Sequence, residues 1–278
     1  MSDLEHNGIT IQEGSSSKNE FLSYIKIILY TFFIAICLRL FFVEAYNVPT
    51  KSMIGTIVDG DYLVVNKFIY GISTPRYLPF TDIEIPHLKF PALVYPKRGD
   101  IVVFHFPGNK DEVKSQQHIN FVKRCVGIPG DTIQIVDNTL YVNNRYGINS
   151  ANRPNKNNYG PAVVPKIGER IFINTDNINR WKVFIEREGH HVNVENDGSV
   201  YVDGMQTENY TVEKNYYFML GDNRNDSYDS RHWGFLSEDN VIGKALFVYW
   251  SWNQQLASSS LLDNVKSIRW SRVGTVLK

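Results

Sequence analysis

Hydrophobic and polar positions divide the chain into three textures. Residues 1–20 are polar, rich in Ser, Asn and Glu, and carry no apolar period, which predicts a disordered tail. From Phe21 to Val43 the sequence FLSYIKIILYTFFIAICLRLFFV holds only Lys26 and Arg39 as charges, and both side chains can snorkel towards an interface. A helix of that length spans a bilayer. A cleaved signal peptide would show a shorter apolar run and a small-x-small exit, whereas this one exits through Phe41-Phe42-Val43-Glu44-Ala45-Tyr46. A buried core helix is the other rival. The pattern favours a retained anchor.

Beyond Tyr46 the period changes. Short β-branched or aromatic runs are bounded by Gly, Pro, Asn and Asp: Asp61–Asn66, Asp100–Phe106, Thr132–Val136, Leu140–Val142, Val192–Val194, Val200–Val202, Tyr216–Leu220 and Ala245–Trp250. This texture predicts a β domain. Ile133–Val142 and Val192–Val202 each read as strand, Asn/Asp turn, strand. Between them, Asn143 to Tyr159 is loaded with Asn, Arg and Pro and reads as an exposed loop or insertion. Ser251 to Lys278 is ambiguous between helix and strand. The resulting division is a tail over 1–20, an anchor over 21–43, and a β-rich domain over 44–278 with an insertion around 143–213.

Composition narrows the function. Lys plus Arg and Asp plus Glu are both 29, so no basic field calls for nucleic acid. Of the two cysteines, Cys37 lies inside the apolar segment, so neither a disulfide framework nor a metal set with Cys125 is expected. Asp59 with Asp61, and Asp226 with Asp229, lack further ligands at sensible spacing, so no metal is expected. The charge balance of the first twenty residues, Lys18 against four acids, does not decide membrane orientation.

Ser52 lies a few residues beyond the anchor, in Val48–Asn66. A serine hydroxyl needs a base before it can attack. The seven histidines show no triad order or elbow motif linked to it. Lys123, flanked by apolar residues in Asn120-Phe-Val-Lys-Arg-Cys-Val-Gly127, would in a strand face away from Val122 and Arg124. Burial could lower its pKa from about 10.4 far enough for it to serve as a base. The bland reading is that Lys123 and Arg124 form a solvated pair on a strand edge, and that Gly221-Asp-Asn-Arg224 is simply a turn.

Five ordered stretches change that balance: Pro49-Thr50-Lys51-Ser52-Met53, Gly60-Asp61-Tyr62, Arg98-Gly99-Asp100-Ile-Val-Val-Phe104, Lys123-Arg-Cys-Val-Gly-Ile-Pro-Gly-Asp131 and Gly221-Asp-Asn-Arg-Asn-Asp-Ser-Tyr-Asp-Ser-Arg231. Following an apolar anchor, they resemble the boxes of type I signal (leader) peptidases, from roughly Leu38 to Gly243, with a fainter match at Ile268–Gly274. The resemblance implies a mainly β catalytic domain and a serine endopeptidase that removes signal peptides from exported preproteins after small residues. It implies Ser52 as nucleophile, Lys123 as general base, and Thr50 with the Ser52 N–H as oxyanion hole. Ser227 would orient the lysine, with Asp229 and Arg231 as supporting residues. Tyr46, Val48, Ile57, Phe121 and Val122 would line the substrate pockets. No cofactor is implied.

The implied partners are preproteins and the lipid bilayer, and the implied place is the bacterial inner membrane, with the tail cytoplasmic and the catalytic domain on the outer face. Three positions depart from the family pattern. Gly55 stands where Pro is frequent, Asn225-Asp226 inverts the usual order, and Cys125 replaces a small residue. The rival readings are a self-cleaving Ser/Lys protease and a catalytically dead, anchored peptide-binding protein.

Overall fold

The computed structural model describes residues 15–71, 86, 88, 90–116, 119–149, 157–253, 256 and 265–278. The tail expected over 1–20 therefore lies mostly outside the described residues. Its end does not: helix α1 runs Ser15–Phe41, so the helix begins before the apolar stretch. No Pro or Gly separates the serines at 15–17 from the apolar run, so nothing stops the helix from extending back to them. The stretch Glu20–Arg39 has a mean hydropathy of 2.1 and no buried residue, as a membrane-spanning helix requires.

The strands follow in order: β1 Val43–Asn47, β2 Asp61–Asn66, β3 Ile101–His105, β4 Asn120–Gly127, β5 Thr132–Val136, β6 Thr139–Val142, β7 Arg145–Asn149 and β8 Tyr159–Val163. After these come β9 Arg170–Phe172, helix α2 Ile178–Arg187, β10 Val192–Val194, β11 Val200–Val202, β12 Met205–Gln206 and β13 Asn209–Thr211. The remainder are β14 Tyr216–Leu220, helix α3 Ser230–Trp233, β15 Leu236–Ser237 and β16 Val241–Ser251. The protein is strand-rich, as its texture predicts.

Seven strands form the principal sheet in the order β1-β2-β16-β3-β4-β14-β15, all antiparallel. In β3, Ile101 and Val103 enter one cluster with Val48, Met53, Ile57 and Leu63, while Val102 and Phe104 enter a second with Cys125, Met219 and Trp233. Both faces of this central strand are therefore buried, which explains its unbroken apolar run. The β2 strand instead alternates buried and half-buried residues.

The anchor enters the sheet without a linker. Phe42 N–H donates to Leu38 O at 3.0 Å, closing the helix, and Phe42 O accepts from Lys67 N at 3.0 Å. The Phe42 ring stacks on Phe68 at 5.2 Å, and Lys67 pairs with Glu44 at 3.1 Å.

One expectation needs correction. The Asn-rich stretch is not simply a loop, because β7 continues from β6 through Asn143-Asn144, with Val142 opposite Arg145. Both asparagines have positive φ, 52° and 59°, which is the two-residue hairpin turn that Asn tolerates. Residues 150–156 of that stretch lie outside the described residues, as do 254–255 and 257–264 near the end of the chain. The β-rich domain also carries an amphipathic helix, α2, which places Ile178, Trp181, Phe184 and Ile185 on one side and packs them with Ile173, Val192, Val200 and Tyr210.

Candidate active site

Ser52 is held by the connection between β1 and β2. Val48 N–H donates to Asp61 O and Gly60 N–H to Val48 O, both at 2.9 Å, closing the base of the loop. At its tip one helical turn follows Ser52, with Thr56 N at 3.1 Å and Ile57 N at 2.9 Å from Met53 O. Met53 and Ile57, one turn apart, are both wholly buried and plug that turn into the core. Gly55 lies in this turn with φ +110°. Proline, fixed near −65°, cannot take that angle, so the departure at Gly55 is matched by the backbone, and the turn is hydrogen-bonded rather than loose.

Arg272 secures the same loop from the C-terminal segment. Its guanidinium donates to Thr56 O at 2.9 Å and to Asp61 Oδ1 and Oδ2 at 2.9 and 2.6 Å, and Asp61 also accepts from Val58 N at 3.0 Å. Asp61 is fully buried, so losing its partner would strand a charge in the core.

The second face of the site comes from β4. Alternation sends Val122 towards Met53 and Ile57, and Phe121, Lys123 and Cys125 to the other side. Lys123 is 4% exposed and its Nζ lies 2.6 Å from Ser52 Oγ, so the solvated-pair reading does not describe it. Burial pulls its pKa down from 10.5 to about 8, and the negative charge of Asp229 resists that fall. Arg124 is tied down as well. Its guanidinium binds both Asp222 oxygens at 2.8 Å, and Thr56 Oγ1 donates to Asp222 Oδ2 at 2.6 Å. This clamp joins the serine loop to the segment after β14.

That segment supports Ser52 from behind. Asn223 N donates to Ser52 O at 3.0 Å, and Asn223 Nδ2 donates to Lys51 O at 3.1 Å. Gly221 N donates to Asp229 Oδ2 at 3.1 Å. Asp229 is fully buried, caps α3, and accepts two hydrogen bonds at 2.8 Å from the Arg231 guanidinium. Arg231 in turn donates to Arg224 O at 2.6 Å. Asn225 and Asp226 are exposed, so the inverted order there leaves this scaffold untouched.

The remaining sequence-derived residues divide. Thr50 Oγ1 lies 3.3 Å from Ser52 Oγ, on the exposed side. Ser227 Oγ is buried but has no hydrogen-bond partner among the described residues, so the contact expected between it and Lys123 is not formed; Ser227 packs instead against Gly221. Tyr46, Val48, Ile57 and Val122 gather in one cluster with Met53. Phe121 does not join them, because its ring packs on Phe106 at 4.8 Å and lies 5.2 Å from Lys123 Nζ. Cys125 is a wholly buried free thiol whose pKa burial pushes up. The clamp of Arg124, Asp222 and Thr56 was missing from the sequence reading. Its only signal was the Gly221–Arg224 turn, whose carboxylate has no local partner.

A buried lysine carries a measurable cost. The unfolded side chain holds its proton up to about pH 10.4, whereas the native one releases it near 8, so stability rises with pH between those values and is lowest below 8. The difference is on the order of 3 kcal/mol at neutral pH. Lys123→Met should therefore raise Tm by a few degrees at pH 7 in calorimetry, with the advantage fading towards pH 10. A lowered Tm at pH 7 would contradict a depressed lysine pKa.

Residues 21–250 match the family described as Signal peptidase, peptidase S26. A signal peptidase I of Buchnera aphidicola subsp. Schizaphis graminum is 31% identical over 248 residues, covering 81% of this chain and 73% of its own length. The signal peptidase I of Pseudomonas aeruginosa is 30% identical over 261 residues, covering 88% and 75%. That of Rickettsia typhi is 31% identical over 285 residues, covering 92% of each chain.

Proposed function

Because this chain belongs to the signal peptidase family, peptidase S26, we propose that it is an anchored serine endopeptidase that removes signal peptides by a Ser52/Lys123 dyad. The observation that carries the reading is the 2.6 Å contact between Lys123 Nζ and Ser52 Oγ, both groups buried and the amine's pKa lowered towards neutrality.

In this mechanism neutral Lys123 takes the Ser52 proton as Oγ bonds to the scissile carbonyl carbon. The oxyanion rests on the Thr50 hydroxyl and the Ser52 N–H, donors typically worth about 3 kcal/mol each in the transition state. The ammonium of Lys123 protonates the leaving amine, which gives an acyl-enzyme. Lys123 then deprotonates a water molecule that attacks the ester and frees Ser52. Asp229, held by Arg231 and the Gly221 N–H, keeps the segment behind the dyad in place. Ser227 is buried close to the same backbone and is assigned a supporting role there.

Two free edges support an extended substrate. Among the described residues the β1 strand pairs only with β2, and it leads directly into the serine loop. The β14 strand pairs with β4 only from Arg124 onward, so among the described residues no strand pairs with Asn120–Lys123 on that side. A peptide could add its backbone to these edges. Its side chains would then meet Tyr46, Val48, Ile57 and Val122, with Phe121 acting through Lys123. Since Val48 and Ile57 are nearly or wholly buried, they present little more than an edge, which favours Ala over larger residues. The catalytic body would face outward from a bacterial inner membrane, with α1 as its single span and preproteins and lipid as its partners.

The test is processing of a purified preprotein by the detergent-solubilised chain. Replacing Ala by Phe at the first or third residue before the scissile bond should lower kcat/KM by more than about 100-fold. Cleavage indifferent to those residues, or cleavage confined to the chain itself, would overturn the reading.

A further inference from the structure

A cavity of about 420 Å³ lies between α2 and α3, and neither Ser52 nor Lys123 is among its lining residues. Its size falls in the range of small-molecule sites. One wall is a stripe of α2 in which Arg180, Val183, Phe184 and Arg187 follow the i, i+3, i+4, i+7 spacing of a single helix face. The stripe has a cation at each end and apolar groups between. Trp181 and Trp233 add aromatic surface, and Lys110 stands at the rim.

The charge in this cavity is one-sided. Among the described residues, no Asp or Glu lines it. Arg231 is neutralised by Asp229, but the other cations have no such partner in the wall. Arg187 is half-buried and its guanidinium donates only to main-chain oxygens, including Glu112 O at 2.9 Å, Asn109 O at 2.6 Å and Trp233 O at 3.3 Å. Burial pulls its pKa down, the sign of a cation paying for desolvation with neutral dipoles. Arg180 lies over the Trp181 ring at 5.4 Å and makes no ion pair among the described residues. Trp233 is 1% exposed, and its Nε1–H, a donor with no acceptor role, has no partner among the described residues. Glu112 acts on Arg187 from outside the wall, so the unpaired groups facing the cavity are Arg180 and the Trp233 donor, set among aromatic walls.

We propose that this cavity is a binding site for a small organic anion, an aromatic or branched aliphatic body carrying one carboxylate. The apolar body lies between Val183, Phe184 and the indole rings. The carboxylate meets the guanidinium of Arg180, whose planar fork has no ion-pair partner among the described residues, while Arg187, its Nε and Nη2 already bonded to main-chain oxygens, adds positive charge at the other end of the stripe. The site is independent of the dyad and of the peptidase reading.

The probe is 4-phenylbutyrate, titrated by tryptophan fluorescence and calorimetry into the full chain carrying Ser52→Ala, so that loss of peptidase chemistry cannot affect the outcome. Saturable one-to-one binding is expected, at least 10-fold tighter than that of neutral 4-phenylbutyramide. Inorganic phosphate, which lacks the apolar body, should bind at least 10-fold more weakly than the carboxylate. Arg180→Gln, at an exposed position that leaves packing intact, should weaken 4-phenylbutyrate binding at least 5-fold, and Arg180→Lys should restore part of the loss. Equal affinity for the acid and the amide, no binding up to millimolar concentration, or an unchanged affinity in Arg180→Gln would each overturn the proposal.

Discussion

Replacing Ser52 or Lys123 by alanine is expected to lower kcat/KM for preprotein processing by about 10⁴-fold or more, with the fold retained. In the proposed mechanism Ser52 carries the atom that forms the acyl bond, and its Oγ lies 2.6 Å from the buried Lys123 amine. Removing Lys123 leaves Ser52 with Thr50 at 3.3 Å, a hydroxyl that cannot act as a base near neutral pH. The two residues act as one unit, so the double variant should be scarcely worse than either single one. Lys123→Arg should fail as well, because a guanidinium does not release its proton.

The pH profile supplies the sign. The base works only when neutral, so kcat/KM should climb about tenfold per pH unit below the lysine pKa and level off above about 8. Near-normal processing by Ser52→Ala or Lys123→Ala would sink the dyad. A profile that is flat from pH 6 to 9 would remove Lys123 as the base.

Gly221→Ala should be nearly as damaging, although the residue touches no substrate. A Cβ there would sit 2.1 Å from Ser227 Oγ and 2.5 Å from Ser52 O, closer than real Cβ contacts. The Ser227 hydroxyl could rotate away, but its Cβ, also 2.5 Å off, could not, and Ser52 O is backbone and is also held by the Asn223 N–H at 3.0 Å. The strain must therefore displace Ser52 or the segment after β14. A shift of about 1 Å in a nucleophile commonly costs on the order of 100-fold in rate, and overpacking adds about 1–3 kcal/mol of lost stability. Adding Ser227→Gly should recover stability but not kcat, since the clash with the carbonyl persists. Wild-type activity in Gly221→Ala would show that the close approach has no part in placing Ser52.

The β strands were legible because their side chains repeat every two residues and their ends carry Asn, Asp and Gly. The run Asp61–Asn66 matches β2 and Thr132–Val136 matches β5 without adjustment. The α2 helix was not legible, because its apolar residues are separated by Asn, Arg, Lys and Glu within a polar stretch, and only its packing against Val192 and Val200 gives the period meaning. β7 was hidden because Asn143-Asn144 looks like the start of a loop, whereas two left-handed asparagines turn the strand back. At the site, Ser52 and Lys123 could be proposed from resemblance, but their contact spans 71 positions and has no local signature. The clamp of Arg124 on Asp222 spans 98 positions, and Arg272 on Asp61 spans 211. Such pairs depend on sheet order, which hydrophobic periodicity does not encode. Ser227 shows the opposite limit: its identity matches a motif, but its buried hydroxyl has no hydrogen-bond partner among the described residues.

The direct passage from α1 into β1 has a mechanical consequence. With Phe42 bonded both back to Leu38 and across to Lys67, α1 passes into the sheet with no free linker, so in the proposed anchored protein the serine loop would stand at a set elevation over the lipid. An arriving preprotein is itself rooted in that lipid by its apolar segment. The bond it offers is then chosen by reach as well as by small side chains: a chain whose apolar helix ends too early or too late would bring the right residues to the wrong level. On that reading the junction would make the protein a gauge of how far a peptide rises out of the bilayer.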